Sequence, residues 1–290
     1  MSFAYRVARK EEEALDLLQE YGDAARVMAG GTALVLMLRR RLLVPDVVID
    51  LARVPGLDGI ELVDGELRLG SLLTHRAAEL APKLLAHVPV LAETYRRVGT
   101  IRIRNLATVG GSLAHADPNQ DPPVTLLALD ARVTLASAAG RRQVPLESFF
   151  VDYYETVLEP QELVTAIHVP LPGEDTGVVY HKFLPRSADD YATVAVAAAV
   201  RVDRETGACT DCRIALGCLG PTPFRARTSE DLIRGQTLDA ALLREAAVAA
   251  QEATDPISDT RGTADYKRSM AGVFVRRVLE AAWREALEAA

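Results

Sequence analysis

Residues 26–49 hold the pattern that most narrows what this chain can fold into. Arg26-Val27-Met28-Ala29 reads as a short buried strand, Gly30-Gly31 breaks it, and Thr32 opens a helical run, ALVLMLRRR, that ends near Arg41. Pro45 marks the return, and Val47-Val48-Ile49 is a second strand. Strand, glycine turn, helix and strand make a βαβ unit. A glycine turn that feeds a helix aims free N–H groups and the positive end of the helix dipole at an anion. Thr32 can cap that helix or bond a phosphate oxygen, with Ala29 leading in and Ala33 following. One glycine pair by itself is better read as a plain tight turn.

A second turn changes that balance. Thr108-Val109-Gly110-Gly111-Ser112 again sets hydroxyl residues beside a glycine pair. Donors from two separate turns can surround both phosphates of a dinucleotide. Neither turn is GxGxxG, and no Lys-Ser/Thr follows a glycine-rich run, so an ordinary Rossmann site or P-loop is disfavoured. The next segment, His115-Ala116-Asp117-Pro118-Asn119-Gln120-Asp121, is an ordered loop by composition. His115, Asp117 and Asp121 lack a second nearby His or Cys, which disfavours a metal site and favours a carboxylate that accepts ribose hydroxyls.

Two further clusters are ambiguous. In Arg96 to Asn105, Ile101 and Ile103 alternate with Arg102 and Arg104, which predicts a half-buried strand. Its basic face fits a solvated surface, a docking surface or phosphate neutralisation equally well. Cys209, Cys212 and Cys218 fall one short of the four thiolates an iron–sulfur cluster normally needs, and they read as buried small hydrophobes.

The remaining elements are plainer. An amphipathic helix covers Glu11 to Glu20, with acids in its first turn. Leu67-Arg68-Leu69 alternates, Leu91 to Arg97 is helical, and Leu126 to Ala136 runs from a helix into a strand. Pro160 to Val169 is turn then strand, Arg213 to Leu216 is a strand, and helices cover Leu238–Ala253 and Ala264–Leu287. The Pro/Gly-rich segment at 170–177 is the best domain boundary in a chain of 290 residues. A net charge of −7 argues against nucleic acid as a partner. The longest small-apolar run, Val194 to Val200, is too short to span a bilayer, and the N-terminus lacks a signal-peptide core. Only three Cys make a cytoplasmic setting the default.

At four places the sequence resembles one family. AGGT before a helix, then PDVVIDLARVPGL, IRNLATVGGSLAHADP and LGCLGPTPFRA are similar to the FAD-binding subunits of molybdenum hydroxylases of the xanthine dehydrogenase and carbon monoxide dehydrogenase type. The resemblance runs from about residue 3 to about residue 285. It implies an α+β fold: a two-lobed FAD-binding domain of the vanillyl-alcohol-oxidase-like class over 1–175, with lobes near 1–55 and 56–170, then a smaller α+β domain with an antiparallel sheet over 176–290.

The same resemblance implies non-covalent FAD held by Ala29, Gly30, Gly31, Thr32 and Ala33 on one side and by Thr108, Gly110, Gly111 and Ser112 on the other. Asp121 would lie toward the adenosine end, and Val164 and Lys182 at other flavin-contacting positions. Asp190 and Tyr191 would lie close to the isoalloxazine, Tyr191 as an aromatic beside the ring. It further implies a large molybdopterin-binding subunit and a small [2Fe–2S] subunit as partners, in a dimer of heterotrimers, with this chain passing electrons to an external acceptor. Two other readings keep the loops but change the role: a self-sufficient reductase like those acting on enolpyruvyl-UDP-sugars, and a non-catalytic nucleotide-binding scaffold. The sequence shows no clear proton donor for the first.

Overall fold

A computed structural model describes residues 3–185, 187 and 189–288. Arg186 and Ala188 of the RSADDYA segment lie outside the described residues.

The first lobe is a three-stranded parallel sheet in the order β1-β3-β2, with β1 at Ala4–Val7, β2 at Ala25–Met28 and β3 at Val47–Asp50. Helix α1 (Glu11–Tyr21) links β1 to β2, and α2 (Leu34–Arg39) links β2 to β3. Parallel strands need such crossovers, and the expected βαβ unit is therefore present. β1, which the periodicity did not reveal, completes the sheet. Glu11, Glu12 and Glu13 sit at the positive end of α1, while its Ala14, Leu15 and Leu18 meet Val47 and Ile49 in the lobe's core. Every residue of β3 is buried, as suits a central strand covered on both faces.

The second lobe is a five-stranded antiparallel sheet, β4-β5-β10-β6-β7. Its strands are β4 (Ile60–Val63), β5 (Glu66–Gly70), β6 (Arg132–Ser137), β7 (Gly140–Pro145) and β10 (Leu163–Pro170). The hairpin β8 (Phe150–Asp152) and β9 (Glu155–Thr156) hangs beside it. Six short helices lie between β5 and β6: α3 (His75–Leu80), α4 (Pro82–His87), α5 (Pro89–Arg96), α6 (Ile101–Arg104), α7 (Val109–His115) and α8 (Pro122–Ala128).

The α6 segment corrects the expected half-buried strand over Ile101–Arg104. Thr100 caps it by accepting from the Ile103 N–H at 3.4 Å, and Gly99 turns the chain with φ at +41°. A local cap outweighs alternation here because neither Ile101 nor Ile103 is buried, so no sheet face rewards the period of two. Arg104 is not part of a solvated basic face. Its Nη1 donates to the carbonyls of Val98 and Gly99 at 3.0 and 2.8 Å, and its Nε donates to Glu79 at 3.0 Å.

The last third is a four-stranded antiparallel sheet, β11-β12-β13-β14, with β11 at Thr176–Phe183, β12 at Val194–Val202, β13 at Cys209–Gly217 and β14 at Phe224–Arg225. Helices α9 (Arg227–Ile233), α10 (Ala240–Glu252) and α11 (Ala264–Glu288) cover one face. The small-apolar run Val194 to Val200 lies in β12, one of the two inner strands of this sheet. Its Val194, Val196 and Val200 pack under the helices, while Ala195, Ala197 and Ala199 join the core of the second lobe on the opposite face. Alanine on that face lets α8 lie close to the sheet. A Cβ on Gly217 of β13 would stand 2.4 Å from Cγ2 of Val124. The three cysteines are buried free thiols on and just after β13.

Candidate functional site

The chain leaves β2 at Met28 and turns through Ala29 to Ala33 before α2 begins. Gly31 holds φ at +69°, where an L side chain is strained. Gly30 needs glycine for a different reason. A Cβ there would meet the Leu106 carbonyl oxygen at 1.7 Å, so the first turn rests directly on the backbone leading into the second. A Cβ on Gly111 would lie 3.6 Å from Cβ of Ala29. The two glycine turns, remote in sequence, are thus in contact.

They are not equivalent. The N-cap of α2 is Ala33, which offers no side-chain acceptor, and Thr32 does not cap the helix. Among the described residues the N–H groups of Gly30, Gly31, Thr32 and Ala33 have no intramolecular acceptor, as the start of an uncapped helix leaves them. In the second turn every corresponding N–H is engaged. Val109 donates to Leu73 O at 2.9 Å, Gly110 to Ser71 O at 2.8 Å, Gly111 to Thr108 Oγ1 at 3.1 Å and Ser112 to Thr108 O at 2.9 Å. Ser112 Oγ donates to Val109 O at 2.9 Å. The first turn offers donors, and the second offers a fixed wall.

That wall is pinned from behind. Ser71 N donates to Thr165 O at 3.1 Å, beside the bulge between Val164 and Ala166 in β10, with Val164 itself in the core. His75 N donates to Ala107 O at 2.9 Å. The His75 ring is buried 5.1 Å from the Tyr95 ring, and neither of its nitrogens has a partner among the described residues. Burial pushes its pKa down to about 4 from 6.5. The unfolded chain therefore binds a proton near pH 6.5 that the folded chain refuses until about pH 4. Stability is intact above that window and falls as pH drops through it, by about 3 kcal/mol in all. His75→Phe is expected to remove this contribution to acid sensitivity. Urea midpoints at pH 7 and pH 4.5 check it, and an unchanged difference between the two midpoints would refute it.

Asp121 and Lys182 meet each other across the seam between the second lobe and the last sheet. Lys182 Nζ donates to Asp121 Oδ2 at 2.8 Å and to the Arg97 carbonyl at 2.9 Å, and Tyr180 OH donates to Asp121 Oδ1. Both charged side chains are 3 % exposed. Burial pushes the Asp121 carboxyl up, against the pull of Lys182 and Tyr180, and burial with Asp121 pushes the Tyr180 phenol up.

Asp190 and Tyr191 lie between β11 and β12. Asp190 Oδ1 accepts from its neighbour Tyr191 N at 2.7 Å and from Arg261 Nη2 at 2.9 Å, and Arg261 holds its carboxyl below the usual range. The Arg261 guanidinium carbon stands 5.3 Å from the centroid of the half-exposed Tyr191 ring. Burial, then the Asp117 carboxylate, push the Tyr191 phenol up. Two buried polar atoms in this region, Gln120 Oε1 and Arg261 Nε, have no partner among the described residues. Sequence reasoning did not single out Arg261, because it stands in no motif; it joins Asp190 and Tyr191 from a distant part of the chain. A further groove of about 590 Å³ opens beside the first turn, lined by Phe3, Tyr5, Met28, Val35, Leu38 and Val48.

Residues 1–172 match the family described as the FAD-binding domain in molybdopterin dehydrogenase, and residues 179–282 match the CO dehydrogenase flavoprotein C-terminal domain. The chain belongs to this flavoprotein family. Among its relatives, the 6-hydroxypseudooxynicotine dehydrogenase complex subunit alpha of Paenarthrobacter nicotinovorans is 36% identical, over 98% of this chain and 96% of that one. The carbon monoxide dehydrogenase medium chain of Hydrogenophaga pseudoflava is 35% identical, over 97% of each chain. A solved carbon monoxide dehydrogenase from that organism superposes with a TM-score of 0.94 at 35% identity, covering 98% of each chain. Quinoline 2-oxidoreductase from Pseudomonas putida 86 superposes at 0.92 and 32% identity, covering 99% of each. The α+β fold and the oxidoreductase class follow from this membership. No helix among the described residues is long and apolar enough to cross a membrane.

The flavoprotein's residues fit an FAD. The unpaired N–H groups of the first turn suit a pyrophosphate, and the orphaned Gln120 Oε1 of the second lobe and Arg261 Nε of the last domain suit a polar group.

Proposed function

We propose that this chain is the electron-transfer flavoprotein subunit of a molybdenum-containing hydroxylase, acting in the cytoplasm. The observation that carries the reading is the contact of the two glycine turns, one of which has four N–H groups with no intramolecular acceptor among the described residues while the other is internally bonded. In this reading Gly30, Gly31, Thr32 and Ala33 donate to the pyrophosphate, while Thr108, Gly110, Gly111 and Ser112 shape the wall against it. Asp121 and Lys182 hold the seam closed with their own ion pair. Val164 backs the second turn through the β10 bulge. Asp190 orients Arg261, and Tyr191 stands beside the flavin ring and shields it from water.

Bound FAD supplies one chemical capacity: it takes up electrons singly and releases two together. The molybdenum and [2Fe–2S] centres belong to a large and a small partner subunit, in a dimer of heterotrimers, and the names of the relatives as medium chain and complex subunit support that division. The exposed Ile101, Ile103 and Leu106, beside the turn on which Gly30 rests, suit a face where the iron–sulfur subunit docks.

The test uses the three chains expressed together. Acid precipitation of the purified complex is expected to release FAD into the supernatant and leave a colourless pellet. A yellow pellet would overturn non-covalent binding, and FMN in the supernatant would overturn the pyrophosphate assignment. Turnover of an organic substrate by this chain with FAD alone would replace the subunit reading with the self-sufficient reductase.

A further inference from the structure

We infer that Arg261 is a positioning residue that fixes the Tyr191 ring, gripping that residue once through its backbone and once over its face, from a turn anchored in the last domain. The inference rests on the reading of Tyr191 as the residue beside the flavin.

Tyr191 lies between β11 and β12 and is 41 % exposed, so its own packing does not fix it. Its N–H donates to Asp190 Oδ1 at 2.7 Å, and the same oxygen accepts from Arg261 Nη2 at 2.9 Å. The Arg261 guanidinium carbon also stands 5.3 Å from the centroid of the Tyr191 ring, within the range where a cation is drawn to an aromatic face. One guanidinium thus reaches Tyr191 by two routes.

The guanidinium is itself held. Its Nη1 lies 3.5 Å from Asp259 Oδ2, so its two terminal nitrogens meet carboxylates from different parts of the chain. The backbone beneath it is a tight turn. Asp259 N donates to Gly262 O at 3.0 Å, Gly262 N donates to Asp259 O at 3.2 Å, and Asp259 Oδ1 accepts from the Arg261 N–H at 2.8 Å. Thr193 Oγ1, just before β12, donates to the Arg261 carbonyl at 3.5 Å. A Cβ on Gly262 would stand 2.8 Å from Cδ1 of Tyr266, so the turn packs directly on α11.

Lys267 of α11 anchors this turn. It is 2 % exposed, and its Nζ lies 2.9 Å from Asp259 Oδ2 and donates to Ile257 O at 3.0 Å. A buried ammonium needs such partners, which fixes Asp259 in turn. Lys267, Asp259, Arg261, Asp190 and Tyr191 therefore form one linked series from the core of the last domain to an exposed aromatic ring.

Arginine suits this post because its planar fork can meet two carboxylates while it stays against a ring; a lysine ammonium is a point charge on a flexible stem. Arg261→Lys keeps the charge and loses the geometry, and Arg261→Gln loses both. Arg261 Nε, which has no partner among the described residues, gives the competing role: a direct bond to the cofactor.

The test compares the wild-type three-chain complex with R261K, R261Q, Y191L and the R261Q/Y191L double variant. FAD content is read by acid release, and flavin reoxidation is read by stopped flow with ferricyanide as acceptor. All are expected to retain wild-type FAD content. R261K and R261Q should both raise the reoxidation rate by about fivefold, the scale of one cation–π contact, because an unfixed ring uncovers the flavin. Y191L should raise it at least as much, and the double variant should match Y191L, since Arg261 has nothing left to position. A wild-type rate in R261K beside a raised R261Q would show that the charge acts and not the position, and would overturn the inference. So would wild-type rates in both, lost FAD in either, or effects that multiply in the double variant, the last two being the mark of a direct bond to the cofactor. A wild-type rate in Y191L with full FAD would remove Tyr191 from the flavin and the inference with it. A wild-type complex without FAD would overturn the proposed function itself.

Discussion

Lys182→Met is expected to destabilise the chain by about 3–5 kcal/mol, because it leaves the Asp121 carboxylate buried without its cation. Both side chains are 3 % exposed, so water cannot replace the lost partner. Asp121 has a second donor in Tyr180, which softens the loss without offsetting a charge. Asp121→Leu combined with Lys182→Met should recover much of the stability, since the desolvation that pushes Asp121 up disappears along with the ion pair. Urea unfolding of the two single variants and the double variant measures this. If Lys182→Met costs less than about 1 kcal/mol, the seam is wetter than its geometry implies.

Gly30→Ala should remove FAD from the complex, by at least tenfold in flavin-to-protein ratio, while Gly31→Ala should retain a substantial share. The added carbon at Gly30 would lie 1.7 Å from a backbone oxygen, an atom that no side-chain rotation can move. The first turn must then lift from the second, at a packing cost of about 1–3 kcal/mol and with its N–H groups displaced. At Gly31 the nearest atom is Cγ2 of Val35 at 3.3 Å, and the penalty is chiefly the positive φ, about 1–2 kcal/mol. Full flavin occupancy in Gly30→Ala would show that contact of the turns is not needed for binding. Gly110 is a poorer probe. A Cβ there would press on Cβ of Ser71 at 2.4 Å, so its substitution injures the second lobe along with any ligand contact.

The separate behaviour of the two turns bears on how FAD-binding sites of this kind divide their work. Hydrogen bonds already made inside the protein cannot also be spent on a phosphate, and the second turn has spent its own on Ser71, Leu73 and Thr108. Its glycines serve close packing, against Ser71 on one side and Ala29 on the other. The paired motifs look alike in sequence because both need residues without a side chain, although the space that the side chain would occupy differs.

What the sequence determined alone was whatever depends on neighbours along the chain. The β2–α2–β3 unit, the long helices α10 and α11, the glycine turns and the break between β10 and β11 all follow from periodicity, caps and backbone freedom, which act over a few residues. Where two local signals conflicted, at Ile101–Arg104, the alternation was visible and the Thr100 cap decided the outcome. The tertiary structure alone decided which charges meet. Asp121 stands 61 residues from Lys182, and Asp190 stands 71 residues from Arg261. A carboxylate's partner is set by which distant strand closes over it and excludes water, and no spacing along the chain encodes that.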